Sequence, residues 1–378
     1  MGAANELGVT GRGGVDERGS GDAPDRTVPG RTVPGGSGPS GRGGHRPGAA
    51  PTRWQALDAG TLATPLRVVV GWLFLSALWR RFVLAPEKMQ LGVDGYVGEK
   101  FNHFLPQALG IGPLLEWLLQ HPEVLHVAMI VFTVVEGIAG LALIVGVFTR
   151  WSALVVALLS VGILLSAGWL GTTCLDEWQI GSLGIAGGLV VMMTGGGRWS
   201  LDARLARRRP GLASWLGEGR WAALLSDGRV VLASTVVAAG LMLMTNQIFH
   251  NGIWGDLHNP SARPHVQVQQ VEVLGDGHVR LRLFRDKGPD TYGAFVTQVT
   301  LLDAGDGVLS TLQTQALADA VVGDIDNELL VRTRTGPWGL VVPLGSRASV
   351  TLDFGAWPEG VRAVELQDVS GARWRGVI

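Results

Sequence analysis

Long apolar runs fill the middle of this chain, and short alternating runs fill its last third. The apolar runs are LRVVVGWLFLSALWRRFVL at 66–84, EVLHVAMIVFTVVEGIAGLALIVGVF at 123–148, SALVVALLSVGILLSAGWLG at 152–171, WQIGSLGIAGGLVVMMTGG at 178–196 and VVLASTVVAAGLMLMTNQIF at 230–249. About 20 helical residues cross a hydrocarbon core, and soluble helices are seldom apolar on every side for that length. The pattern therefore predicts five membrane helices, with the first and fourth runs the least apolar.

From residue 255 onward the period changes to two. QVQQVEVL, HVRLRLFR, AFVTQVTLLD, ELLVRT, GLVVPL, SVTLDF and VRAVELQDV alternate apolar and polar positions and are separated by GDG, KGPD, TGPWG and GAWPEG turns. Short alternating runs at that spacing predict an antiparallel β-sandwich over 255–378. Residues 1–53 hold few large apolar side chains and repeat RTVPG in tandem at 26–35. Such a segment cannot bury a core, so a disordered tail is expected there.

Composition agrees with a membrane protein: hydrophobic residues make up 47%, charged residues 17%, and the mean hydropathy is +0.27. The net charge of −1 gives no general attraction to nucleic acid. Zinc spacings, a C-x-x-C-H haem site and a P-loop are absent from the sequence. Lysine and arginine counts orient the chain. The tail, Arg150 and the arginine-rich 197–229 loop share one side, so the N-terminus is expected in the cytoplasm and the C-terminal domain outside. The segment RWSLDARLARRRP at 198–210 reads as an anchor at anionic lipid. Gly184 and Gly188 form a small-xxx-small pair that predicts close helix packing.

Three groups carry candidate chemistry. The first is the TCLDEWQ turn, with the only cysteine, Cys174, beside Asp176, Glu177, Trp178 and Gln179. A thiol on an outer loop can act as a nucleophile or form a sulfur adduct; Asp176 can equally cap the next helix, with Trp178 in the interfacial belt. The second is Glu136, near the middle of the second run. An ionisable group at that depth faces the bundle interior and takes a partner or a function; a structural hydrogen bond of the neutral acid to Ser166 or another polar helix residue is the plain alternative. The third is Arg80 and Arg81 with His126, all near the outer interface. Two arginines there run against the charge bias and suit an oxyanion, because arginine offers paired donors; snorkelling to lipid phosphate is the rival role.

The stretches GWLFLSALWRRFVLAPEK at 71–88, TCLDEWQIGSLGIAGG at 173–188 and GGGRWSLD at 195–202 resemble the DoxD family of DoxX-like membrane proteins, over about 65–205. The fifth run and the β-rich part, notably GDLHNPSARP and KGPDTYGAFV, resemble the companion DoxA family. The resemblance implies an α-helical membrane bundle of four DoxX-like helices plus a fifth transmembrane helix at 229–250, followed by an all-β extracytoplasmic sandwich. It also implies thiosulfate:quinone oxidoreductase chemistry: oxidation of thiosulfate to tetrathionate with membrane quinone as electron acceptor. The matching positions are Arg80, Arg81, Lys88, Cys174, Asp176, Glu177, Trp178 and Gln179. On that reading the partners are quinone, thiosulfate and membrane lipid, with no resident cofactor motif. A non-catalytic membrane scaffold whose outer β domain docks a redox partner protein stays open as the second reading.

Overall fold

The computed structural model describes residues 58–93, 95–168, 177–209, 211, 219–256, 262–289 and 294–378. The expected disordered tail falls outside these residues. Each of the five apolar runs coincides with a helix. After the short α1 (Ala59–Leu62), α2 (Thr64–Trp79) carries a proline in its first turn, where no amide partner is lost, and runs on into a π-turn at Arg80–Leu84. A connecting roof follows, with α3 (Lys100–Phe104) and α4 (Gly112–Gln120). Then come α5 (Pro122–Val145), α6 (Thr149–Ala167) and α7 (Glu177–Thr194). The polar α8 (Leu201–Arg208) and α9 (Arg220–Leu225) precede α10 (Gly228–His250). Among the described residues α5, α6 and α10 are long and apolar enough to cross a membrane.

Small residues set the bundle. A Cβ on Gly71 would lie 2.7 Å from the Gly140 carbonyl oxygen, so the α2 and α5 backbones almost touch. The expected close packing at Gly184 and Gly188 is present: a Cβ at Gly184 would lie 2.0 Å from Ser160 Oγ, and one at Gly188 2.9 Å from the Ala153 carbonyl oxygen, both on α6. Val70, Phe74, Ala139, Leu143, Ala153, Val156 and Val191 fill the space between these helices. In contrast, α10 buries little of itself against protein; it touches α7 through Ser182 Oγ, 3.0 Å from Met242 Sδ.

The helix ends opposite the roof are closed by neighbours. Arg67 on α2 donates to the Leu143 and Ile144 carbonyls at the end of α5. Arg150 on α6 donates to those of Met192 and Met193 at the end of α7. A cation at a helix C-terminus meets both the orphan carbonyls and the negative end of the dipole. Asp202 on α8 does the reverse at the start of α6, accepting from the Phe148 and Thr149 amides at 2.8 Å each and from Thr149 Oγ1 at 2.7 Å.

The C-terminal part is all-β apart from α11 (Thr314–Asp319). Its strands are β1 (His265–Gly275), β2 (His278–Lys287), β3 (Ala294–Leu302), β4 (Val308–Gln313), β5 (Asp326–Asn327), β6 (Arg334–Gly336), β7 (Gly339–Val342), β8 (Arg347–Asp353), β9 (Ala363–Asp368) and β10 (Arg373–Val377). They form two antiparallel sheets, β1-β2-β8-β5 and β10-β9-β3-β7-β6 with β4 also on β3. Inward residues such as Leu281, Val299, Val350 and Leu366 make one shared core.

One expected strand is absent. In ELLVRT only the flanking residues pair: β5 precedes the segment and β6 follows it. Leu329 instead enters a cluster with Met89, Leu119, Leu125 and Met129 of the helical part. Alternation marks a segment with one face to bury, and here that face is buried against helices rather than against a sheet. The same junction holds Asn102, fully buried on α3. Its Oδ1 accepts from the Val331 amide and its Nδ2 donates to the Gly345 carbonyl, both at 3.1 Å. Arg347 meets Glu116 of α4 at 2.5 Å. The β part is thus bolted to the roof at the end of the bundle where α2 finishes and α5 begins.

Candidate functional site

Glu136 is buried in the middle of α5, and it does not use Ser166, whose hydroxyl donates to the Ile163 carbonyl. Its partner is Arg81. The π-turn closes with the Ala85 amide on the Arg80 carbonyl oxygen at 2.9 Å, one residue beyond α-helical spacing. From that turn the Arg81 side chain runs inward to α5. Its Nη1 lies 2.7 Å from Glu136 Oε2 and 2.9 Å from Thr133 Oγ1. Glu136 is 5% exposed as a residue, and the Arg81 side chain 20%. The ion pair and its hydroxyl therefore sit on the buried stripe of α5 formed by Leu125, Met129, Thr133, Glu136, Gly137 and Gly140. Gly137 leaves room for α2 here, since a Cβ would press on Leu78.

His126 lies seven residues before Thr133, roughly 10 Å along the axis at 1.5 Å per residue. It is half-buried; its ring stands 5.9 Å from that of Tyr96, which is 1% exposed. Tyr96 Oη and His126 Nδ1 are buried with no hydrogen-bond partner among the described residues. Burial, with the Glu123 charge as the smaller cause, pushes the Tyr96 phenol up to about 12. Gly98 admits the Tyr96 ring, because a Cβ there would come 2.3 Å from Cε1.

The structure therefore brings Arg81 and Glu136 into contact and leaves other expected residues apart. Arg80 is exposed beside Arg81, and Lys88 and Gln179 are exposed. Glu177 and Trp178 lie in the first turn of α7. Cys174 and Asp176 fall outside the described residues. Thr133, Tyr96 and Asn102 were not expected. Thr133, Tyr96 and Asn102 carry no charge, so only a buried polar atom in a folded chain reveals them. Among the described residues no three His, Cys, Asp or Glu side chains gather where a metal would bind.

No solved structure matches this chain. Residues 62–216 match the family described as TQO small subunit DoxD, and residues 249–376 that described as TQO small subunit DoxA. TQO is thiosulfate:quinone oxidoreductase. The first match spans α2 to α8 with the ion pair and the roof, and the second spans both β-sheets. The chain thus unites, in one polypeptide, a DoxD membrane domain and a DoxA β domain, two small-subunit families of thiosulfate:quinone oxidoreductase.

Proposed function

We propose that the chain works as a tetrathionate-forming thiosulfate:quinone oxidoreductase, or supplies the small-subunit part of one. The observation that carries this reading is the Arg81–Glu136 ion pair with Thr133, polar groups held inside an apolar span of a chain from these two families. A quinone head group is apolar apart from two carbonyl oxygens. It suits a membrane helix stripe that offers a guanidinium, a hydroxyl and a carboxylate. Arg81 would donate to a quinone oxygen, and Glu136, taking up protons from the aqueous side, would relay to the quinone the two protons that its reduction consumes.

The balance needs two thiosulfates to lose two electrons as an S–S bond forms, while quinone gains two electrons and two protons. Cys174 is the only thiol in the chain. As thiolate it would bond the outer sulfur of one thiosulfate, releasing two electrons to quinone. A second thiosulfate would then attack that adduct, expel the thiolate and leave as tetrathionate. Asp176 and Glu177 would set the polarity of that turn, with Trp178 and Gln179 at its edge. Arg80, Lys88 and His126 would draw in the divalent anion. The arginine bias supports a cytoplasmic N-terminus and an outer β domain, over the end of the bundle from which a polar oxyanion would arrive.

The test is thiosulfate-dependent reduction of a soluble quinone analogue by the lipid-reconstituted chain, with Glu136→Gln and Cys174→Ser beside it. Loss of turnover in both variants at normal expression is expected. Unchanged turnover in Cys174→Ser removes the thiol from the mechanism. No turnover by the intact chain with any quinone overturns catalysis by this polypeptide alone.

A further inference from the structure

The arginine-rich α8 has a firm seat. Ser200 caps it, with its Oγ accepting from the Ala203 amide at 3.1 Å. Asp202, 2% exposed, is spent on the first turn of α6, and its own amide donates to the Gly146 carbonyl at 2.9 Å. A short polar helix held by these bonds cannot drift from the ends of α5 and α6. Those ends, Val145 and Thr149, mark where two apolar spans leave the hydrocarbon, so α8 lies at that boundary.

Arg204, Arg207 and Arg208 stand three and four residues apart and so share one face; Arg209 follows directly. All four are exposed, and none of the guanidinium groups has an ion pair or hydrogen bond among the described residues. Like charges at this spacing repel one another, so a rigid helix that displays them calls for anions from outside. The flanks identify which anions. Trp151 and Trp199 expose their rings beside this helix, and tryptophan at a span end settles at the headgroup level of a bilayer. A soluble anion has no use for those rings.

We propose that α8 forms a binding site for anionic phospholipid headgroups, with Arg204, Arg207, Arg208 and Arg209 on the phosphates and Trp151 and Trp199 in the interface. Because Asp202 ties α8 to α6, lipid bound here also steadies the inner ends of the bundle. This is independent of the redox reading.

The experiment takes the full chain in neutral detergent and titrates it with phosphatidylglycerol or phosphatidylcholine in mixed micelles. Retained lipid is counted by native mass spectrometry, and thermal unfolding is followed in parallel. Each surface arginine is worth about fivefold in affinity for an anionic surface. The wild type is expected to retain and be stabilised by phosphatidylglycerol over phosphatidylcholine, with the preference falling as salt rises. R204Q/R207Q/R208Q/R209Q is expected to lower apparent phosphatidylglycerol affinity by up to about 600-fold, the four contributions compounding. Equal retention of the two lipids by the wild type, or undiminished preference in the variant, overturns the proposal. So does competition by soluble glycerol phosphate at the same concentration as the lipid, which would mark a small-anion site. Should the fourfold variant not fold, R204Q/R208Q and the wild-type lipid preference decide between the same outcomes.

Discussion

Arg81 Nη1 lies 2.7 Å from Glu136 Oε2 and 2.9 Å from Thr133 Oγ1, so one arginine at the end of α2 joins two polar groups one turn apart on α5. Both side chains are largely withdrawn from the surface, Arg81 20% and Glu136 6% exposed. Removing one member strands the other, which costs about 3 kcal/mol for a buried pair. Glu136→Leu and Arg81→Leu should each lower the apparent melting temperature in lipid nanodiscs, and the double variant should recover much of the loss. Additive losses would show that the two groups do not act as a pair.

The same pair predicts the kinetic phenotype. A positioned proton donor typically contributes a factor of 10²–10⁴, so Glu136→Gln should cut quinone-analogue reduction about 100-fold. The glutamine keeps a carbonyl for Arg81, so its melting temperature should fall less than that of Glu136→Leu. Stopped turnover with a large stability loss would point to collapse of the site instead.

Asn102 predicts how the two halves are held. It is fully buried and spends both ends of its amide on the β domain, at Val331 and Gly345. Asn102→Ala leaves a buried amide and a buried carbonyl unpaired, at about 1–3 kcal/mol each. Gly345 has φ +74, and a Cβ there would come 1.7 Å from the Asn102 carbonyl oxygen, so Gly345→Ala should be at least as damaging. Hydrogen exchange should rise at 328–331 and 343–346 in both variants, while strands β3 and β9 stay protected.

Tyr96 predicts an alkaline limit. A phenol titrates near 10 when exposed, and here burial holds it up to about 12. The unfolded chain therefore loses this proton first. Stability should be full below about pH 10 and fall as pH rises from there toward 12. The chain has two tyrosines, Tyr96 and Tyr292, so ultraviolet titration of the wild type against Tyr96→Phe isolates the Tyr96 phenol. Tyr96→Phe should flatten the alkaline decline.

Asp202 predicts a structural cost far from any chemistry. Asp202→Ala frees two amides and a hydroxyl at the start of α6. The loss of a cap of this kind costs about 1–2 kcal/mol, and Asp202→Asn, which keeps an acceptor, should cost less. Melting temperatures of the two variants in one lipid composition check the order.

Much of the architecture was legible because apolar length and apolar period are properties of a continuous segment. All five helices and most strands lie where the runs are. Strands β4, β5, β6 and β10 lie outside the alternating runs because they are very short or interrupted by polar residues or glycine, and ELLVRT departs from a strand because its leucines are covered by helices. Glu136 was legible as a charge that must find a partner. Arg81 was expected to hold an oxyanion, and the structure gives it to Glu136 and Thr133.

The sequence by itself determined a chain of membrane helices with a β domain after them, since desolvation of the backbone in lipid and alternate burial in a sheet are written locally. Only the tertiary structure decided who meets whom. Arg81 and Glu136 are 55 residues apart, and Asn102 and Gly345 are 243 apart. No local pattern contains both partners of such a pair. What selects them is the packing of α2 on α5 through Gly71 and Gly140, and of the β domain on the roof through Leu329. Those contacts bring Arg81 to Glu136 and Thr133, and Asn102 to Val331 and Gly345.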